Sequence, residues 1–294
     1  MRFAPLSLAA LFLVAASAPL TAQTYYNWMS PEIKDAWAKG YKGQRTTVTV
    51  IDDFRSNSAF DGNLGDGLRY LRHGEWTFKE IGMLAPSATM KQDDYSTAQQ
   101  VRLSTGLNVL NMSYGMYASA AYSLNQIGWS SQESSIIYYA KNGLAVAVKA
   151  AGNDSIAVSG TNGQGEKDFF NLALVGAQSA IYAGALDRNG TVTNKANLAY
   201  YSNFAGSDVN VQKNFLVVGV RGDLTGLYGT SFAAPVISGY ASVLGSKFTK
   251  ATPTAITNQL LNTARQDTVN NYNAAIYGRG EASLTRALAP RSIQ

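Results

Sequence analysis

Five short runs recur along this chain: Thr46 to Ile51 (TTVTVI), Asn108 to Met112 (NVLNM), Leu144 to Lys149 (LAVAVK), Ala180 to Ala185 (AIYAGA) and Asn214 to Val220 (NFLVVGV). They are largely apolar, often β-branched, and alternate little. A strand with one wet face alternates, whereas one covered on both faces does not, so these runs read as central strands of a parallel sheet. Helical stretches lie between them. Ser30-Pro31-Glu32 opens one with a capping hydroxyl, a proline in the first turn and an acid near the positive end of the dipole, and Gly40 stops it after about Lys39. Ser134 to Lys141 and a long apolar segment after Ser231 read as others. Strands alternating with helices predict an α/β fold with a mostly parallel central sheet.

Such sheets gather their functional groups in the crevice beyond the carboxyl ends of the strands. TTVTVI is followed by Asp52-Asp53, NVLNM by Ser113-Tyr114-Gly115, and LAVAVK by Ala150-Ala151-Gly152-Asn153-Asp154. No repeat, low-complexity tract or Pro-rich linker divides the sequence, which predicts one domain from Gln23 to residue 294.

The first 22 residues read differently. Arg2 precedes an apolar stretch from Leu6 to Ala18, and Leu20-Thr21-Ala22 places small residues where leader cleavage needs them, as in a signal peptide. Cleavage after Ala18 would put Pro19 beside the scissile bond, so the expected mature start is Gln23. The apolar run is too short for a bilayer core of about 30 Å, and no other segment approaches that length. The expectation is a chain exported to the periplasm or the extracellular space, without a membrane span. Cysteine is absent, so the fold must hold without disulfides. Without Arg2 the excess of Lys and Arg over Asp and Glu falls to four, spread along the chain; a nucleic-acid footprint needs clustered basic residues, so no nucleic-acid partner is expected.

Histidine occurs once, at His73. A lone histidine is by itself unremarkable, but this one has Gly74 after it, an apolar-periodic helix (Trp76, Phe78, Ile81) starting there, and the acids at the end of the first strand before it. Nucleophilic catalysis by serine requires a base for the hydroxyl proton, an acid to hold the imidazole, and donors for the oxyanion. The chain offers one such set, in the order Asp, His, Ser.

The stretches TVTVIDDF, RHGEWTFKEIGMLAP, LNMSYG, VKAAGNDS and YGTSFAAPVISG, in that order, resemble the blocks of the subtilisin-like serine peptidases, the subtilases. Gly-Thr-Ser-x-Ala-x-Pro opening an apolar helix is the most specific of them, and DAWAKGYKGQ and YGRGEASLTRAL extend the likeness over nearly the whole mature chain. The resemblance implies a subtilisin-like three-layer fold. It also implies roles for the matching positions: Ser231 as nucleophile, His73 as general base and acid, Asp52 as orienting carboxylate, and Asn153 as the amide that stabilises the oxyanion. Ser113-Tyr114-Gly115 and Ala151-Gly152 match segments that bind the substrate backbone and wall the primary specificity pocket. Ser231 at a helix N-terminus sits near unpaired N–H groups where negative charge develops, and Pro235 falls early enough in that helix to be tolerated. Phe232, Val236, Ile237, Tyr240, Val243 and Leu244 make the helix apolar on most sides.

The chain departs from the family pattern in places. Two carboxylates stand where the family has one; neighbours in a strand face opposite ways, so only one reaches His73, and block alignment favours Asp52. HGEW places Glu75 beside the base and Trp76 where the family has a second histidine. The interval between Asp52 and His73 is short, which predicts a trimmed loop. Asp61 to Gly67 (DGNLGDG) has oxygen ligands but misses the calcium-loop spacing, and reads as a polar turn. No metal ligand is assigned, although family members often bind calcium structurally. Asn111-Met112-Ser113 fits a glycosylation pattern by coincidence, inside the presumed substrate segment. Only some 25 residues separate Ala22 from the first core strand, so folding proceeds unaided or an inhibitory propeptide comes as a separate chain.

The expected function is a secreted or periplasmic serine endopeptidase acting on peptides or proteins. Its alternatives are a weakly active or inactive peptide-binding protein on the same fold, and a periplasmic solute-binding protein, which would need two similar lobes that the sequence lacks.

Overall fold

The computed structural model describes residues 23–294; the expected signal peptide lies outside the described residues. Six strands form one sheet, all neighbours parallel: β1 (Thr46–Asp52), β4 (Thr89–Asp94), β5 (Leu107–Met112), β7 (Val146–Ala150), β9 (Ala180–Leu186) and β10 (Phe215–Gly219). Their spatial order is β10-β9-β7-β5-β1-β4, which sets the ends of β1, β5 and β7 side by side. The five predicted strands are there, with ends shifted by a residue or two. β10 begins at Phe215 because Asn214 caps the preceding helix and its amide bonds the carbonyls of Ala177 and Ala180.

Sheet alternation sorts side chains into two cores. Val48, Val50, Val109, Val146, Val148, Ile181 and Leu216 face one layer of helices. That layer is α1 (Pro31–Ala38), α2 (His73–Leu84), α7 (Ala233–Lys247) and α8 (Pro253–Asn262). Ile51, Leu110, Met112, Ala147, Tyr182, Phe215 and Val217 face α3 (Ser131–Lys141), α4 (Phe169–Ala173) and α5 (Val209–Lys213). The short α6 (Gly222–Thr225) follows β10. This is the three-layer α/β architecture expected. Helix α3 starts a turn earlier than predicted because Ser130 caps it, its hydroxyl accepting from the backbone of Gln132 and Glu133.

Two features depart from the sequence reading. The interval before His73 holds an antiparallel hairpin, β2 (Ala59–Gly62) with β3 (Arg69–Arg72), not merely a polar turn; Asn63 to Leu68 form its tip. A second small pair, β6 (Tyr117–Ser119) with β8 (Glu166–Asp168), stands beyond the end of the main sheet. The closing YGRGEA segment lies along the open edge of β10, with Val217 N–H bonded to Gly280 O and Ala282 N–H to Val217 O.

Candidate active site

Asp52 is the last residue of β1 and is 1% exposed. Its Oδ1 lies 2.6 Å from His73 Nδ1 and accepts from the Asp53 N–H at 2.7 Å, while Thr77 Oγ1 stands 3.2 Å from Oδ2. A carboxylate on Nδ1 fixes the tautomer that carries its proton there, leaving Nε2 as an acceptor toward the crevice. Asp53 points the other way, as strand alternation requires. Burial raises its pKa, but hydrogen bonds from Ser56 and Arg55 outweigh that and leave it below the ordinary carboxylate value.

His73 is the first residue of α2 and packs between the rings of Phe232 and Phe60, at centroid distances of 5.8 and 6.3 Å. Gly74 is needed beside it because its N–H bonds Asp53 O at 3.0 Å, and a Cβ there would lie 2.6 Å from that carbonyl oxygen. The two odd residues of HGEW serve structure. Glu75 reaches back to the Arg72 N–H at 2.8 Å as a helix cap. Trp76 is fully buried under the hairpin and donates to Phe60 O at 3.1 Å.

Ser231 sits in a single 3-10 turn, Thr230–Phe232, and α7 proper starts at Ala233, two residues later than the sequence reading has it. Pro235 is the third helical residue, where no intrahelical bond is lost. Ser231 Oγ donates to Ser113 O at 3.1 Å, so its one proton is turned toward the end of β5, away from His73; catalytic contacts often tighten only with substrate bound. Ser113 Oγ in turn donates to Ser231 O at 2.9 Å and accepts from Asn111 Nδ2. Asn111 is wholly buried, and its Oδ1 accepts from Ser238 of α7.

Asn153, beyond β7, turns its Oδ1 to Thr230, accepting from the backbone N–H at 2.8 Å and Oγ1 at 3.0 Å. Its Nδ2 is thereby directed away, as an oxyanion donor beside Ser231 must be. Thr230 Oγ1 also accepts from Gly152 N–H at 3.0 Å. Gly152 has φ +111°, and a Cβ there would meet Asn203 Nδ2 at 2.3 Å. Asn203, buried, accepts from the N–H groups of Asp154 and Ile156 and donates to Ala151 O. Asn171 donates to the same carbonyl.

The crevice therefore gathers Asp52, His73, Ser231 and Asn153. It also holds the backbone of Ser113 to Gly115 and of Gly152, but not their neighbours' side chains. Tyr114 packs at a tilt against Phe170 and Tyr95 and reaches Glu133; burial first, then that carboxylate, raises its phenol well above the ordinary value. Ala151 is buried in the second core. Thr230, Asn203 and Asn171 were missed as positioning residues; Thr230 alone had a signal, as the neighbour of Ser231 in the GTS block. Among the described residues no three His, Cys, Asp or Glu side chains gather as a metal cluster, and Asp66 of the hairpin tip is ion-paired with Lys79 and Arg69. No helix of the described residues is long and apolar enough to cross a membrane.

Comparison with known proteins agrees with the fold. The chain is similar in fold to the prenylagaramide maturation protease PagA, with 19% identity and a TM-score of 0.57 over 88% of this chain and 98% of that one. It is likewise similar to a lanthipeptide protease, with 17% identity and a TM-score of 0.56 over 85% and 89% of the two chains. A cold adapted subtilisin-like serine proteinase matches with 18% identity and a TM-score of 0.50 over 82% and 88%. No curated protein sequence matches. The profile of the subtilase family matches residues 59–280, a span that holds His73, Asn153 and Ser231 and begins after Asp52, whose place rests on its contact with His73. The chain belongs to the subtilase family of serine proteases.

Proposed function

We propose that this protein is an exported serine endopeptidase, acting in the periplasm or outside the cell, in which Asp52, His73 and Ser231 form the catalytic triad. Ser231 Oγ attacks the peptide carbonyl as its proton passes to His73 Nε2. The C–N bond then breaks, and the leaving amine takes that proton. Water, deprotonated by the same nitrogen, hydrolyses the acyl-enzyme and returns the proton to Ser231. Asn153 Nδ2 stabilises the oxyanion in both steps. Ser113 to Gly115 and Gly152 offer backbone groups to the substrate and wall the pocket for the residue on its acyl side. The 2.6 Å contact between buried Asp52 and His73 carries the reading, because a buried carboxylate on the chain's one histidine is what the general base requires.

A peptide-binding role without turnover has less support. Asp53, Glu75 and Trp76, which depart from the family pattern, are accounted for by a turn, a helix cap and hairpin packing. Labelling of the mature protein by an alkyl fluorophosphonate tests the proposal. Labelling and peptide hydrolysis are expected in the wild type and are both expected to vanish in Ser231→Ala and His73→Ala variants that keep their far-ultraviolet dichroism. Undiminished turnover in Ser231→Ala would refute the assignment.

A further inference from the structure

An acyl group on Ser231 with its oxygen toward Asn153 carries its side chain into the gap between the extensions of β5 and β7. One wall of that gap is Gly115 and the other is Gly152. Both walls are glycine, yet the gap is partly filled. The ring of Tyr117 lies against Gly115 so closely that a Cβ there would meet its Cε2 at 2.5 Å. The phenol oxygen reaches across to the other wall, 3.6 Å from where a Cβ of Gly152 would stand, and lies 3.3 Å from Asp154 Oδ2.

The floor is closed as well. Asp168 Oδ2 would lie 2.9 Å from the same Gly115 Cβ and pairs with Lys149 Nζ at 3.0 Å, both side chains nearly inaccessible. Asp168 Oδ1 accepts from the Met116 N–H, and β8 pairs Asp168 directly with Tyr117, so the tyrosine backbone is fixed from below. Tyr117 keeps 44% of its surface exposed; the covered part, with Asp168, Asp154 and Glu166 nearby, raises the phenol pKa, and the phenol donates to Asp154.

We infer that Tyr117 bridges the primary specificity pocket from wall to wall and limits the residue on the acyl side of the scissile bond to small side chains such as glycine, alanine or serine. This rests on the peptidase reading of the same site. A larger side chain needs the ring to leave Gly115 and release Asp154. The pocket glycines thus accommodate a side chain of the protein, which takes the space a bulky substrate residue would use.

The test measures second-order inactivation by two peptidyl diphenyl phosphonates, one ending in alanine and one in phenylalanine, with active sites first counted by fluorophosphonate. The wild type should react faster with the alanine probe by at least about 10-fold, the scale of steric discrimination in such pockets. Tyr117→Ala should raise the rate with the phenylalanine probe by at least about 10-fold, and Tyr117→Phe, which keeps the ring, should retain the wild-type order. Equal rates with both probes in a wild type that titrates fully would overturn the inference and leave the peptidase reading standing, as would a Tyr117→Ala variant that titrates but gains nothing on phenylalanine. Absence of fluorophosphonate labelling in the folded wild type would instead remove the peptidase reading and this inference with it.

Discussion

Thr230 offers a sharp test of how the oxyanion donor is held. Its hydroxyl, wholly buried, donates to Asn153 Oδ1 at 3.0 Å and accepts from Gly152 N–H at 3.0 Å. Thr230→Val keeps the shape and removes both bonds. Asn153 then retains one anchor, the Thr230 N–H, and its amide can turn. A direct oxyanion donor contributes about 3 to 4 kcal/mol, as found in subtilisin itself, so Asn153→Ala should lower kcat by about 100- to 1000-fold with little change in KM. Loss of one neutral hydrogen bond to the donor is worth about 1 kcal/mol, which predicts a roughly 5-fold lower kcat in Thr230→Val. The two effects should not add, because Thr230 acts through Asn153; the double variant should be no slower than Asn153→Ala alone. The assay is steady-state peptide hydrolysis by the wild type, both single variants and the double, each normalised by active-site titration. A double variant about 5-fold slower than Asn153→Ala, or a Thr230→Val defect confined to KM, would refute the argument.

Two stability predictions follow from buried charge. Glu80 of α2 is buried with Oε2 unpartnered, and burial holds its pKa well above the ordinary 4.5. The folded state then keeps a proton that the unfolded state releases, so stability falls as pH rises from about 4.5 through the folded pKa. Glu80→Gln should therefore gain Tm over the wild type increasingly across that range, and parallel Tm curves would count against it. Lys149→Met leaves Asp168 buried without its cation and should cost about 3 to 5 kcal/mol in denaturant unfolding, with part restored by adding Asp168→Asn; no recovery in the double variant would argue that the pair is not the cause.

The central sheet was legible because β1, β5, β7, β9 and β10 are covered on both faces and their sequences record it. β4 was not: TMKQDD lies at the edge, half exposed and polar, and its pairing to β1 leaves no local trace. The hairpin before His73 has strands of only four residues, AFDG and RYLR, too short to show a period, and the glycines and aspartates between and beside them read as a turn. Asp52, His73, Asn153 and Ser231 could be nominated from the sequence because the chemistry proposed for them is tied to residue type and to the order of the blocks. Thr230 bonding across to Asn153, Asn203 to the Gly152 loop, and Lys149 to Asp168 depend on side chains that meet only after folding, and each would pass in sequence for an ordinary polar residue. Ser113 meets Ser231 through its carbonyl, which accepts from Ser231 Oγ, while its own hydroxyl binds inward to Ser231 O.

Helix α7 is buried along almost its whole length and crosses beneath β1, β5, β7, β9 and β10. Its serines tie it to the N-terminal half, Ser238 to Asn111 and Ser242 to Thr46. Under the proposed function this bears on timing. The nucleophile lies next to α7, late in the chain, and the base near the first strand, so cutting power arrives only when the whole sheet has closed over α7. A half-folded chain, the state in which its own loops are most open to attack, holds its serine and its base apart and cannot digest its siblings.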